Sequence, residues 1–186
     1  MNIRAIVREI VALLESDIVE YVLVGGVAAM HHGIPRFTKD ADFLVAVNDA
    51  DLEGVLLKLP GAYELDPQAQ MELFTGTMRW IVAVRDSEFK AEFFLLGADP
   101  HHAEEFRRRQ RTWLPLIEIE AWTATAEDIV IQKLRWARNR DLGDVRDILS
   151  VQRDSFDFTY TKSWCDQHGT WARLEEIRAS IPADLL

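Results

Sequence analysis

The sequence predicts a mixed α+β fold, in which a mixed β-sheet is flanked by helices and followed by a helical C-terminal part. Three observations predict it. Short apolar segments of strand character alternate with helical segments through the first part of the chain. Two of these strands, 42–47 and 90–96, are apolar on both faces, as expected where helices cover a sheet. The last third is helical almost throughout. The chain is therefore expected to divide near residue 124, into a sheet-bearing core over 1–124 and a helical region over 125–186 that packs on it.

Residues 2–16 place Ile3, Ile6, Val7, Ile10, Leu13 and Leu14 at helical spacing. Residues 20–24 (EYVLV) read as a short strand running into a Gly25-Gly26 turn. A short helix (VAAMHH) follows and is ended by Gly33 and Pro35. Strand 42–47 comes next, then a helix around 51–59 stopped by Pro60-Gly61. Strands 79–85 and 90–96 are close enough to form a hairpin through Asp86-Ser87-Glu88. Residues 101–110 read as a polar helix, and 112–122 as an extended stretch broken by Pro115. Helices over 126–137 and 141–152 and two weaker ones between 159 and 181 complete the chain.

Composition narrows the class. The 186 residues are 48% hydrophobic and 28% charged, which suits a globular domain and not a disordered or fibrous chain. No apolar run reaches the ~18 residues of a membrane span. The N-terminal stretch carries Glu9 and Glu15 and lacks a small-residue cleavage site, so no signal peptide is expected. The single cysteine, Cys165, excludes an internal disulfide and a cysteine zinc cluster, and a cytoplasmic setting is expected. The net charge of -10 argues against a broad electrostatic grip on nucleic acid. Arg107, Arg108, Arg109 and Arg111 cluster, as do Arg135, Arg138 and Arg140, and both groups read as solvated helix faces. Trp113, Trp122, Trp136, Trp164 and Trp171 read as packing residues.

Chemistry concentrates in residues 22–45. Gly25 and Gly26 follow a strand and open a helix, where side-chain-free backbone N–H groups and the helix N-terminus favour an anion. Asp40 and Asp42 enter the next strand at i and i+2, which puts both on one face, roughly 6.5–7 Å apart at Cα. Two such carboxylates repel unless a cation lies between them, and oxygen ligands of this kind suit Mg²⁺. Arg36 and Thr38 precede them on the same segment. Glu92 sits mid-strand among apolar residues, where a lone acid is costly unless paired or metal-bound. His31-His32 and His101-His102 are adjacent pairs whose rings point about 100° apart on a helix, so they do not converge on a metal.

This stretch resembles the nucleotidyltransferase superfamily with the DNA polymerase β-like core, whose signature is Gly-Gly or Gly-Ser, a spacer, and Asp-x-Asp. The fuller match, through Ala28, His32-Gly33, Arg36, Thr38, Asp40 and Asp42, is similar to the minimal AbiEii-like toxin and MNT-like group. Glu127-Asp-Ile, Lys133-Leu-Arg-Trp-Ala-Arg and Arg140-Asp-Leu-Gly-Asp-Val-Arg-Asp-Ile-Leu are similar to that group as well, so the resemblance covers roughly residues 20–150. It implies a nucleotidyltransferase-type sheet, two Mg²⁺ ions on Asp40, Asp42 and Glu92, and transfer of a nucleoside monophosphate from an NTP such as ATP. Gly25, Gly26, Arg36 and Thr38 would cradle the nucleotide. The implied acceptor is an RNA 3′ end, a protein hydroxyl, or a small molecule of the aminoglycoside kind. A cognate antitoxin is an implied partner, and a non-catalytic nucleotide-binding component is the remaining alternative. Two departures stand out. Gly26 replaces the serine of many members, and the third carboxylate, usually Asp, is Glu92.

Lys133 closes the set. Ile129, Val130, Leu134, Trp136 and Ala137 define an apolar arc into which Lys133 falls, so its charge must snorkel out or meet an anion. Either it pairs with Asp144 on the next helix, or, as the resemblance implies, it reaches the NTP phosphates while Asp144 positions it or the acceptor.

Overall fold

The computed structural model describes residues 2–182. Eight strands form one mixed sheet: β1 (Glu20–Val24), β2 (Asp40–Ala46), β3 (Tyr63–Leu65), β4 (Gln70–Glu72), β5 (Thr77–Val84), β6 (Lys90–Leu95), β7 (Gln110–Leu114) and β8 (Ile119–Thr123). Their order is β3-β5-β6-β2-β1-β8-β7, with β4 pairing on β5 as well. β2 runs antiparallel to β1 and parallel to β6.

Strand alternation sends side chains to two cores. Tyr21, Leu23, Phe43 and Phe93 face α1 (Ile3–Ser16) and α3 (Asp49–Leu56), and the Phe43 and Phe93 rings stack at 5.4 Å. The sequence dictates α1 plainly. Its apolar stripe buries Ile6, Val7, Ile10, Val11 and Leu14, and the Asn2 side chain accepts from Ala5 N to cap its start. On the other face, Val22, Val24, Leu44 and Phe94 meet α2 (Gly25–His32), α5 (Ala126–Trp136), α6 (Asn139–Gln152), α7 (Phe158–His168) and α8 (Trp171–Ala179). Phe106 of α4 (Pro100–Arg108) joins this second core. Thr125 caps α5 by accepting from Asp128 N, and the left-handed Ala137 ends it.

The mixed sheet covered by helices agrees with the sequence reading. Four details differ. β3 and β4 are absent from the sequence reading because three residues carry no legible period. The stretch 112–122 is a hairpin of β7 and β8, turned through Glu118 at a positive φ of 61°. The glycine pair is the first turn of α2 itself rather than a turn before it. Trp113 and Trp122 are 55% and 36% exposed, so they are not the packing residues their type suggests. Among the described residues, no helix is long and apolar enough to cross a membrane.

Candidate active site

Three neighbouring elements build the floor of the site. The β1–β2 register sets Val24 opposite Asp42, so the start of α2 stands beside the start of β2. The β2–β6 register sets Asp40 beside Lys90 and Asp42 beside Glu92. Asp40, Asp42 and Glu92 thus share one sheet face. A pocket of about 380 Å³ opens above it. Gly25, Gly26, Arg36, Thr38 and Lys133 line the same pocket, together with Arg138 and Arg140 of the α5–α6 turn and α6. Asp144 stands behind this wall.

The glycines are required by contact. Gly25 adopts φ +59°, and a Cβ there would lie 1.9 Å from Asp42 Oδ2. Gly26 N donates to Asp42 Oδ2 at 3.3 Å. A Cβ on Gly26 would lie 2.9 Å from Thr38 Oγ1 and 3.4 Å from the Arg36 guanidinium. The place beside the glycine pair is therefore already filled by a hydroxyl, supplied by Thr38. Residue 26 is glycine because Thr38 and Arg36 crowd it.

The carboxylates are unequally satisfied. Burial pushes the Asp42 carboxyl up to about 6, and the neighbouring charges of Glu92 and Asp40 add to this, against the Gly26 N–H and Lys133. Glu92 accepts from Arg79 at 2.8 Å and from Lys90 at 2.5 Å. Asp40 has only distant cations, Arg140 at 3.8 Å and Lys90 at 4.0 Å. Among the described residues, no three metal-ligating side chains form a ready-made cage, and Glu92 is drawn toward its two cations. Asp40 and Asp42 nevertheless fit a hard cation. They are oxygen donors, crowded by like charge, and Mg²⁺ needs only one or two carboxylates besides water and phosphate.

The opposite wall is cationic and preassembled. Lys133 Nζ lies 2.6 Å from Asp144 and 3.1 Å from Asp141. Asp144 also receives Arg36 in two bonds of 2.6 and 2.7 Å. Asp141 receives Arg138 Nε at 2.6 Å and the Arg138 backbone N at 3.3 Å. Burial pushes both aspartates up. The arginine and lysine contacts outweigh it and hold both below the usual carboxylate range. Lys133 therefore makes the ion pair with Asp144 and lines the pocket as well.

Sequence reasoning missed Asp141, Arg79, Lys90, Arg138 and Arg140. Asp141 and Asp144 sit at i and i+3 on one helix face, a legible signal. Arg138 and Arg140 are not simply solvated, since both line the pocket. In the other arginine cluster, Arg107, Arg108, Arg109 and Arg111 pair with Glu104, Asp128, Glu20 and Glu15. His32 Nε2 sits 2.7 Å from the Ala124 carbonyl oxygen, a structural contact.

The solved structures most informative for this arrangement share its fold at low identity. The solution structure of the antibiotic-resistance factor ANT(2'')-Ia superposes with a TM-score of 0.59 at 12% identity, covering 96% of this chain and 97% of that one. The crystal structure of an antigenic nucleotidyltransferase-like protein from Paracoccidioides brasiliensis gives 0.57 at 16% identity, covering 97% and 94%. No curated protein matches the chain by sequence. A family model described as a nucleotidyl transferase of unknown function matches residues 3–160, through both the carboxylate strands and the cationic helices, and the chain belongs to that family of nucleotidyltransferases.

Proposed function

We propose that this protein is a Mg²⁺-dependent enzyme that moves a nucleoside monophosphate from an NTP to an acceptor hydroxyl. The observation that carries this reading is the pairing of Asp40 and Asp42 on one sheet face with a glycine-opened helix and a preassembled cationic wall across the same pocket. Asp40 and Asp42 would hold the metal, with Glu92 completing the carboxylate set. The bound metal would polarise the α-phosphoryl group and offset charge on the leaving oxygen. The backbone at Gly25 and Gly26, Thr38 and the Arg36, Lys133 and Arg138 side chains bind and orient the triphosphate. Asp141 and Asp144 fix where those cations point. Residues 1–124 carry the carboxylates and 125–186 the cationic helices, so both parts are needed for turnover.

The test is incubation with each α-labelled NTP, Mg²⁺, and either total RNA or a cell lysate. Label on RNA supports the toxin-type acceptor, and label on protein or a small molecule supports the others. Label on none, with no Mg²⁺-dependent NTP binding, refutes transfer and leaves a non-catalytic component. Recovery of a tightly bound small protein from cells is the readout for an antitoxin.

A further inference from the structure

An acceptor site presupposes the nucleotidyl transfer proposed for this pocket, in which the acceptor hydroxyl approaches opposite the departing pyrophosphate. The glycine pair, Arg36, Lys133 and Arg138 lie on the β1, α5 and α6 side of the carboxylates. The other flank of the pocket is formed by β5 and β6 with the β4–β5 turn, through Glu72, Phe74, Arg79, Lys90 and Glu92. The β5–β6 register pairs Arg79 with Phe94 and Ile81 with Glu92, so Arg79 stands diagonal to Glu92 on the pocket face, and Lys90 flanks Glu92 on its own strand.

Hydrogen-bonding capacity decides what fits there. The carboxylates of this flank already have donors. Glu92 has Arg79 and Lys90. Glu72 accepts from the backbone of Phe74 and Thr75 and from the Thr75 hydroxyl, at 2.9, 2.8 and 2.6 Å. The donors, in contrast, are in surplus. Arg79 Nη2 has only a 3.4 Å bond to Gln70 Oε1, and Nε, turned away from the pocket and buried, has no partner. Lys90 has one close partner and a second at 4.0 Å. On this flank a polycation would meet two like charges and carboxylates that already have donors, whereas a phosphate would take up the spare Lys90 N–H groups; the less paired acids of the pocket, Asp40 and Asp42, are the ones assigned to the metal. Phe74, 62% exposed, presents an aromatic face at the mouth of the same pocket.

We propose that Arg79 and Lys90 clamp the acceptor, and that the acceptor is a phosphate-bearing hydroxyl compound. Its hydroxyl oxygen forms a bond to the α-phosphorus of the NTP. The bond from that phosphorus to the bridging oxygen breaks, and pyrophosphate leaves with the electron pair. The hydroxyl proton is released to water.

The experiment compares four acceptors with α-labelled NTP and the full chain: a short RNA with a free 3′ hydroxyl, a nucleoside 5′-monophosphate, the same nucleoside without phosphate, and tobramycin. The expected kcat/KM is at least about tenfold higher for the monophosphate or the RNA than for the nucleoside, the value of one charge-assisted contact. The RNA and monophosphate arms separate a polymer end from a free nucleotide. Arg79→Gln should raise acceptor KM about tenfold and leave the NTP Kd unchanged, with Arg79→Lys restoring part of the loss. If Arg79 only steadies Glu92, kcat falls with acceptor KM unmoved, and the clamp is wrong. Should Arg79→Gln not fold, the half-exposed Lys90→Gln and the rise of wild-type acceptor KM with salt carry the same test. Equal or better use of tobramycin or the bare nucleoside overturns the proposal. So does a protein that binds NTP yet labels neither phosphate-bearing acceptor. Absence of NTP binding overturns the transfer reading beneath it as well.

Discussion

Asp128 and Asp42 are both recessed on the α2 and α5 side of the sheet, and their surroundings treat them in opposite ways. Asp128 is 0% exposed and receives the Thr125 hydroxyl at 2.7 Å, the Tyr160 hydroxyl at 2.5 Å and Arg108 Nε at 3.2 Å, with His101 Nε2 also 3.2 Å away. Burial pushes its carboxyl up, but these donors outweigh it and hold it below the usual range. Asp42 receives only Gly26 N and is pushed up to about 6. The first acid joins α4, α5 and α7 and is complete within the chain. The second is left short of counter-charge at a pocket, and that deficit is what the proposed metal role rests on.

The largest expected effect breaks the second side of this contrast. Asp42→Asn should lower transfer by about a thousandfold, as loss of a metal-binding carboxylate does, while the melting temperature holds or rises because repulsion is relieved. Labelled transfer and a thermal melt of the same sample check both halves. Asp128→Asn should do the reverse, costing about 3 kcal/mol of stability as a broken buried ionic network. Transfer per folded molecule should stay within roughly twofold, since Asp128 does not line the pocket. Gly25→Ala lies between the two. Its strained φ and its overlap with Asp42 should cost about 2 kcal/mol and displace the carboxylate, so stability and turnover fall together in denaturant titration and assay.

The smallest effect is on pH. Burial lowers His102 to about 4 from an ordinary value of 6.5. Asp99, Arg135, His101 and Glu72 are the charged or titratable groups acting on it. Because the unfolded chain takes up this proton first, the stability held above pH 6.5 is lost as pH falls toward about 4. His102→Gln should flatten the dependence of the unfolding free energy over that window, while Asp128→Asn leaves the His102 contribution in place.

Legibility in the sequence followed contact range. Asp40, Asp42 and the glycine pair were readable because the strand period and the spacing along one segment place them. Lys133 was readable from its position in an apolar arc. Arg79 was not, because its relation to Glu92 depends on the β5–β6 register and not on local sequence. Arg138 was misread because an arginine held by a buried aspartate has the same local pattern as one in water. The extended reading of 112–122 missed a turn because Glu118, and not glycine, takes the positive φ there. Trp113 and Trp122 are exposed because they sit on the β7–β8 hairpin at the sheet edge, where alternate side chains point outward.

Thr38 placing its hydroxyl against Gly26 has a consequence for how such chains diverge. Positions 26 and 38 are exchangeable only as a unit. A lineage moving from this arrangement to a Gly-Ser turn by Gly26→Ser alone meets the 2.9 Å approach to Thr38 Oγ1. One that first changes Thr38→Ala passes through a stage with no hydroxyl beside the glycine pair. The double change Gly26→Ser with Thr38→Ala relieves the crowding and returns the hydroxyl to the helix N-terminus. A search pattern that demands serine after the first glycine would therefore discard chains that carry the same hydroxyl on the neighbouring segment.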